Sequence, residues 1–169
     1  HPGGSWEGLG VRPDLSAWSK AIANGHALAA VAGTDRFRDA ATKVYSTGSF
    51  WTAAVPMAAG VATIRTLLAE DGIGKMVASG QRLRDGLSKL AQRHGVAVRH
   101  SGPVQMPLMQ FEGDADFTLG NAFCAAALRA GAYFHPKHNM FLSAAHGAKD
   151  IDIALQAADS GFAAVAKLG

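Results

Sequence analysis

Lys20 is the residue whose surroundings most suggest chemistry. It lies in Pro13-Asp14-Leu15-Ser16-Ala17-Trp18-Ser19-Lys20-Ala21-Ile22-Ala23-Asn24-Gly25, where the nearest upstream basic residue is Arg12. A lysine whose ammonium is poorly solvated loses its proton more readily. The free amine can then attack an aldehyde and form a Schiff base. Spacing alone favours an ordinary surface lysine, because most lysines are exposed. Four Ser and Thr hydroxyls, Ser46, Thr47, Ser49 and Thr52, fall in the turn Tyr45-Ser46-Thr47-Gly48-Ser49-Phe50-Trp51-Thr52. Hydroxyls and free N–H groups ahead of a helix suit a phosphate dianion. They suit simple helix capping equally well. His135, His138 and His146 fall close together but do not match the short zinc patterns, so no metal site is expected. His26, just after the lysine turn, reads as structural, with a place at the border of an active site as the other reading. Cys124 lies in a small-residue helical run, where a buried thiol is inert.

These residues must be held by elements that the pattern outlines. Glycines and Pro13 punctuate residues 1–20, which read as loop. Ala27 to Gly33 reads as a short buried strand and Asp35 to Lys43 as a short helix. A long helix is expected from Thr52, as N-cap, to Glu70, with a face of Ala53, Ala54, Ala58, Ala59, Gly60 and Ala62 that permits close backbone packing. Asp71-Gly72 breaks it. The next helix, Ile73 to His94, carries Met76, Gly80, Leu83, Leu87 and Leu90 on one stripe. Lys75, Arg82, Arg84, Asp85 and Lys89 fall off that stripe as a solvated face, and Gly95 closes the helix.

Beyond Gly95 the period changes. Val96–Arg99 and Val104–Phe111 read as strands, with Pro103 and Pro107 marking an edge or bulge. Asp116 to Ala130 reads as a helix, Ala132–Phe134 and Met140–Ser143 as short strands, and Ala148 to Val165 as a last helix. Residues 96–169 therefore form an α+β unit. Residues 1–70 hold one expected strand where an α/β layer needs several, and read as the end of something larger.

Composition narrows the classes. The chain has 169 residues, 49% of them hydrophobic and 17% charged, which suits a packed core and not a disordered chain. No apolar run approaches the roughly 20 residues that span a bilayer. One cysteine cannot form an internal disulfide, so nothing points to an oxidising compartment. The net charge is +3 and the basic residues are scattered, which argues against nucleic acid and mildly favours carboxylates and phosphates. The chain opens on His1-Pro2-Gly3-Gly4, with no Met and no secretory leader, and a start further upstream is expected.

The lysine segment resembles the cofactor-lysine segment of class III aminotransferases, which reads approximately Pro-Asp-Leu-x-x-x-x-Lys-x-Ile-x-x-Gly. Every fixed position of that pattern is filled here. The turn 45–52 with Val55-Pro56-Met57-Ala58-Ala59-Gly60 resembles the family's phosphate-contacting turn and following helix. Phe134-His135-Pro136-Lys137-His138-Asn139-Met140-Phe141-Leu142-Ser143-Ala144-Ala145-His146 is similar to the end of the family's small domain.

The resemblance implies an α/β chain of the fold-type-I pyridoxal-phosphate (PLP) enzymes. Residues 1–72 would be the end of the large domain, 73–95 a connecting helix and 96–169 the small domain. It implies that Lys20 carries PLP and shuttles a proton. Ser49, Thr47 and Phe50 would contact the cofactor, with the hydroxyl reaching the phosphate of the neighbouring subunit, hence a homodimer. The implied substrates are a small-molecule amino donor and a carbonyl acceptor, in the cytoplasm, with neither nucleic acid nor membrane as partner. The ring-stacking aromatic, the pyridine-nitrogen Asp and the Gly-Ser/Thr phosphate turn would lie upstream, so these residues alone are expected to be inactive.

The chain resembles the glutamate-1-semialdehyde aminomutase branch. It has Gly48-Ser49-Phe50-Trp51-Thr52-Ala53-Ala54 where those enzymes usually carry a Gly-Thr-Leu-Ser-Gly-Asn-Pro type turn. Intramolecular amino transfer is therefore an alternative to transfer between two molecules. A PLP racemase or decarboxylase and a non-catalytic relative are the remaining rivals.

Overall fold

The computed structural model describes residues 2–168. The chain divides into two units, His1–Ile73 and Gly74–Gly169. In the first, β1 (Leu15–Trp18) pairs antiparallel with β2 (Ala30–Gly33), in a register that sets Leu15 opposite Gly33 and Trp18 opposite Ala30. A 3-10 turn, Lys20–Ala23, lies between them. The helix expected at 35–43 is a 3-10 turn, Asp35–Phe37, continued by α1 (Arg38–Ala41). Helix α2 runs Ala54–Ala69, and its N-cap is Ala53 with no side-chain cap, so Thr52 does not take the expected role.

Two expectations for this unit are corrected. Residues 15–18, read as loop, are a strand; the glycines and Pro13 around them masked four extended residues. The strand expected to be buried at 27–33 is shorter and exposed along its length, because no layer of the described residues covers it. Among the described residues of this unit only Gly4, Ala23, Gly60 and Gly72 are buried.

The second unit has a true core. Helix α3 (Gly72–Arg93) begins at the boundary and presents Leu83, Leu87 and Ala91 to it, so the helix expected as a connector is part of this packing. Strands β3 (Val98–Ser101) and β4 (Leu108–Phe111) pair antiparallel, followed by α4 (Thr118–Arg129) and α5 (Ala148–Val165). Helices α4 and α5 pack on each other, and Phe123 stands at the centre of an aromatic cluster. Its ring centroid lies 4.9 Å from Phe162, 5.4 Å from Phe134 and 5.6 Å from Phe111. Edge-to-face contacts of this kind add to the gain from burying the rings themselves. Gly161 leaves the gap that Phe123 fills; a Cβ there would come 2.6 Å from the ring.

The segments 132–134 and 140–143, expected as strands, are not strands. Met140 N–H donates to the Pro107 carbonyl at 2.8 Å and Leu142 N–H to Gln105 at 3.0 Å, which ties the loop down without a ladder. Arg84, expected on a solvated face, is half-buried, and its guanidinium donates to the Gly102 carbonyl at 2.7 Å. Asp114 caps α4 by accepting from Leu119 N–H at 2.9 Å and Gly120 N–H at 2.8 Å. Cys124 is half-buried, and desolvation pushes its thiol up to about 11, which keeps it protonated and unreactive at neutral pH. No described helix is long and apolar enough to cross a membrane.

Candidate active site

Strand β1 delivers the chain to Ser19, which is extended, and Lys20 then turns sharply with φ of 58°. A side chain other than glycine in that left-handed region costs about 1 kcal/mol, and such positions persist where the surroundings hold them. Here the surroundings are a sequence of short bonds. Ile22 N–H donates to Ser19, Asn24 N–H to Ala21 and His26 N–H to Ala23, at 3.1–3.3 Å. Asn24 and Gly25 also take positive φ, so the chain reverses at once into the β2 hairpin arm.

The turn is clamped from one side. Ala23 is fully buried, and the turn packs on α2. A Cβ at Gly60 would come 2.8 Å from Leu28 Cδ2 and 3.6 Å from the Ile22 carbonyl oxygen. The small-residue face expected on this helix thus has a purpose: it lets the backbone of the lysine turn approach the helix. Thr47, Ser49 and Phe50 lie in the turn that leads into the same helix, held by Trp51 N–H to Gly48 and Ala53 N–H to Phe50, both at 3.2 Å. Roughly 9 Å of helix rise separates Ala54 from Gly60. Lys20 and the hydroxyl turn are therefore both tied to α2, one on its flank and one at its start, and they share no hydrogen bond.

Lys20 is exposed, so the chain's own described residues do not supply the desolvation expected around its amine. Thr47, Ser49 and Phe50 are exposed as well. His26 is exposed, and its backbone N–H, donating to Ala23, is part of the turn. Among the described residues no group of three or more His, Cys, Asp or Glu side chains is placed to hold a metal. The left-handed backbone at Lys20 was not legible in the sequence; only the Asn24-Gly25 pair behind it carried a turn signal.

Residues 4–148 match the family model for class-III aminotransferases. The chain belongs to this family. It is 48% identical over 161 residues to the aminopentol aminotransferase of Sphingopyxis macrogoltabida, covering 95% of this chain and 38% of that one. It is 33% identical to the glutamate-1-semialdehyde 2,1-aminomutase of Syntrophobacter fumaroxidans, covering 98% of this chain and 42% of the relative. The FumI protein of Sphingopyxis sp. MTA144, solved in its PLP internal aldimine form, superposes with a TM-score of 0.94 at 47% identity. That match covers 96% of this chain and 39% of the solved one. The class-III chain thus spans about two-fifths of the length of the relatives it matches.

The fold is that of the corresponding part of the fold-type-I PLP-dependent transaminases. The family's cofactor is pyridoxal phosphate. The residues present fit that group in kind. Lys20 offers an amine with no ion-pair partner among the described residues, and Thr47 and Ser49 offer hydroxyls with no hydrogen bond among them.

Proposed function

We propose that this chain is part of a PLP-dependent enzyme that moves an amino group between an amine or amino acid and a carbonyl acceptor. The observation that carries the reading is Lys20 itself. It fills the family's lysine position and is held at φ of 58° between β1 and a turn locked by Ala23 and Gly60. When bound, PLP supplies an aldehyde that takes up amines and a ring that draws electrons away from the substrate Cα. Lys20 Nζ would hold the cofactor at that aldehyde carbon, and as a free amine it would be the base that takes the substrate Cα proton and the acid that gives it back.

Ser49, with Thr47 as the second candidate, would donate a hydroxyl hydrogen bond to the cofactor phosphate of a neighbouring subunit, and Phe50 would contact the cofactor beside it. This arrangement requires a homodimer, and the reading places it in the cytoplasm. An amine as donor is supported by the 48% identical relative, which is named for one. Intramolecular amino migration is the second reading, supported by the relatives named as aminomutases. The Gly48-Ser49-Phe50-Trp51-Thr52 turn departs from theirs and weighs against the glutamate-1-semialdehyde reaction specifically.

In the full-length protein, the visible absorbance of bound PLP should be present, and Lys20→Ala should abolish both it and amino transfer from an amine to a keto acid. Full transfer by the Lys20→Ala protein would remove Lys20 from the reaction. A product formed without any added acceptor would favour the aminomutase reading.

A further inference from the structure

Strand β3 is held to helix α3 by a small polar cluster that the amino-transfer reading does not use. Arg84 donates to the Gly102 carbonyl at 2.7 Å. Ser88 Oγ lies 3.0 Å from the Arg84 carbonyl oxygen and 3.1 Å from His100 Nε2. A hydroxyl has one proton, and the carbonyl can only accept it. Both contacts are satisfied together when His100 Nε2 carries a proton and donates to Ser88. The neutral ring then leaves Nδ1 bare. That atom is buried, as is Arg84 Nε, and neither has a hydrogen-bond partner among the described residues.

This arrangement suits a neutral ring and penalises a charged one. A proton added at Nδ1 would be a buried donor without an acceptor. It would also set a second positive charge beside the Arg84 guanidinium. Burial and then Arg84 hold His100 below the ordinary imidazole value, and the Asp85 carboxylate opposes them more weakly. On the strand side His100 stands opposite Met109, which does not titrate, and the neighbouring Arg99 is bonded to Gln110. The loop joining β3 to β4 carries the effect further. A Cβ at Gly80 would fall on the Val104 carbonyl, so this loop lies directly on α3. Its Pro107 and Gln105 carbonyls accept from Met140 N–H at 2.8 Å and Leu142 N–H at 3.0 Å.

We propose that His100 is an acid-sensitive latch: held neutral between Ser88 and Arg84 it keeps the β3–β4 hairpin on α3, and its protonation frees the hairpin and with it the segment 140–142. Opening returns His100 to water, where it takes a proton at the ordinary imidazole value. The hold is complete above that value, weakens as pH falls through it, and stops weakening below the lower folded value. Nothing in this depends on Lys20 or on bound PLP.

Hydrogen exchange of the full-length protein, read by mass spectrometry and corrected for the intrinsic rate at each pH, tests the latch. Between about pH 7.5 and about pH 5.5 the protection of amides 140 and 142 should fall several-fold, up to about tenfold. In His100→Gln the fall should shrink to under about twofold, because that amide can donate to Ser88 but takes no proton. Asp85→Asn, a change at an exposed position, should carry the loosening to lower pH than in the wild type. The Lys20→Ala protein should respond to pH as the wild type does, which separates the latch from the amino-transfer reading. Unchanged protection of 140 and 142 across this range would overturn the proposal. So would an equal fall in wild type and His100→Gln, or loosening that ends at the same or a higher pH in Asp85→Asn.

Discussion

The two units of this chain bury their apolar residues in opposite degrees. In the second, Phe111, Phe123, Phe134, Phe162, Leu87 and Ile151 are all buried around one centre. In the first, Val31, Tyr45, Phe50 and Trp51 stand in the open, and what is buried is three glycines and an alanine. Hydrophobic burial supplies most of the favourable free energy of folding, so the second unit has its own stabilising core and the first does not. The candidate chemistry sits in the first. What holds Lys20 in place is backbone: a left-handed turn, a buried Ala23 and the close approach allowed by Gly60.

Substitutions should expose this asymmetry, and the largest effect belongs to the core. Phe162→Ala should destabilise the second unit by about 3–5 kcal/mol in a denaturant titration, whereas Val31→Ala should cost under ~0.5 kcal/mol. A large loss from Val31→Ala would show that the first unit has a core after all. Gly80→Ala comes next. A Cβ there would fall on the Val104 carbonyl oxygen, which is backbone and cannot swing aside, so a loss of about 1–3 kcal/mol is expected.

Lys20→Gly should act in the other direction. Glycine takes positive φ without the Cβ penalty, so thermal stability should rise by the equivalent of about 1 kcal/mol while any cofactor role is lost. The smallest effect concerns Asp159, which accepts from His94 at 2.6 Å and from Arg93. Hydrogen bonds from His94 and then Arg93 hold its carboxyl below the usual carboxylate range. The folded form thus favours the charged state. The stabilisation is complete above the ordinary carboxylate pKa and disappears as pH falls through the lower folded value. Because the pair is at the surface, Asp159→Asn should cost under ~1 kcal/mol near neutral pH and nothing in strong acid, as read by thermal melts across pH.

Legibility followed the same divide. The last helix was readable to the residue at both ends, because Ile151, Ala158, Phe162 and Val165 face a core that lies within the chain. The β1–β2 hairpin was not, because its strands are four residues each among glycines and prolines, and no described layer imposes a pattern on them. Tertiary tethers also defeated periodicity at 140–142, where alternate N–H groups reach Pro107 and Gln105 and imitate a strand without forming one. At the candidate site, the resemblance of residues 13–25 to the family's lysine segment pointed to Lys20, while its backbone conformation and the packing of Gly60 against its turn came only from the structure.

The central claim is that the Lys20 amine bonds covalently to the cofactor. Borohydride reduction of the PLP-loaded full-length protein, then digestion and mass spectrometry, tests it directly. The account predicts one added phosphopyridoxyl group on the peptide containing Ser19-Lys20-Ala21, absent from the Lys20→Ala protein. A stoichiometric label on another lysine, with Lys20 unmodified, would contradict it.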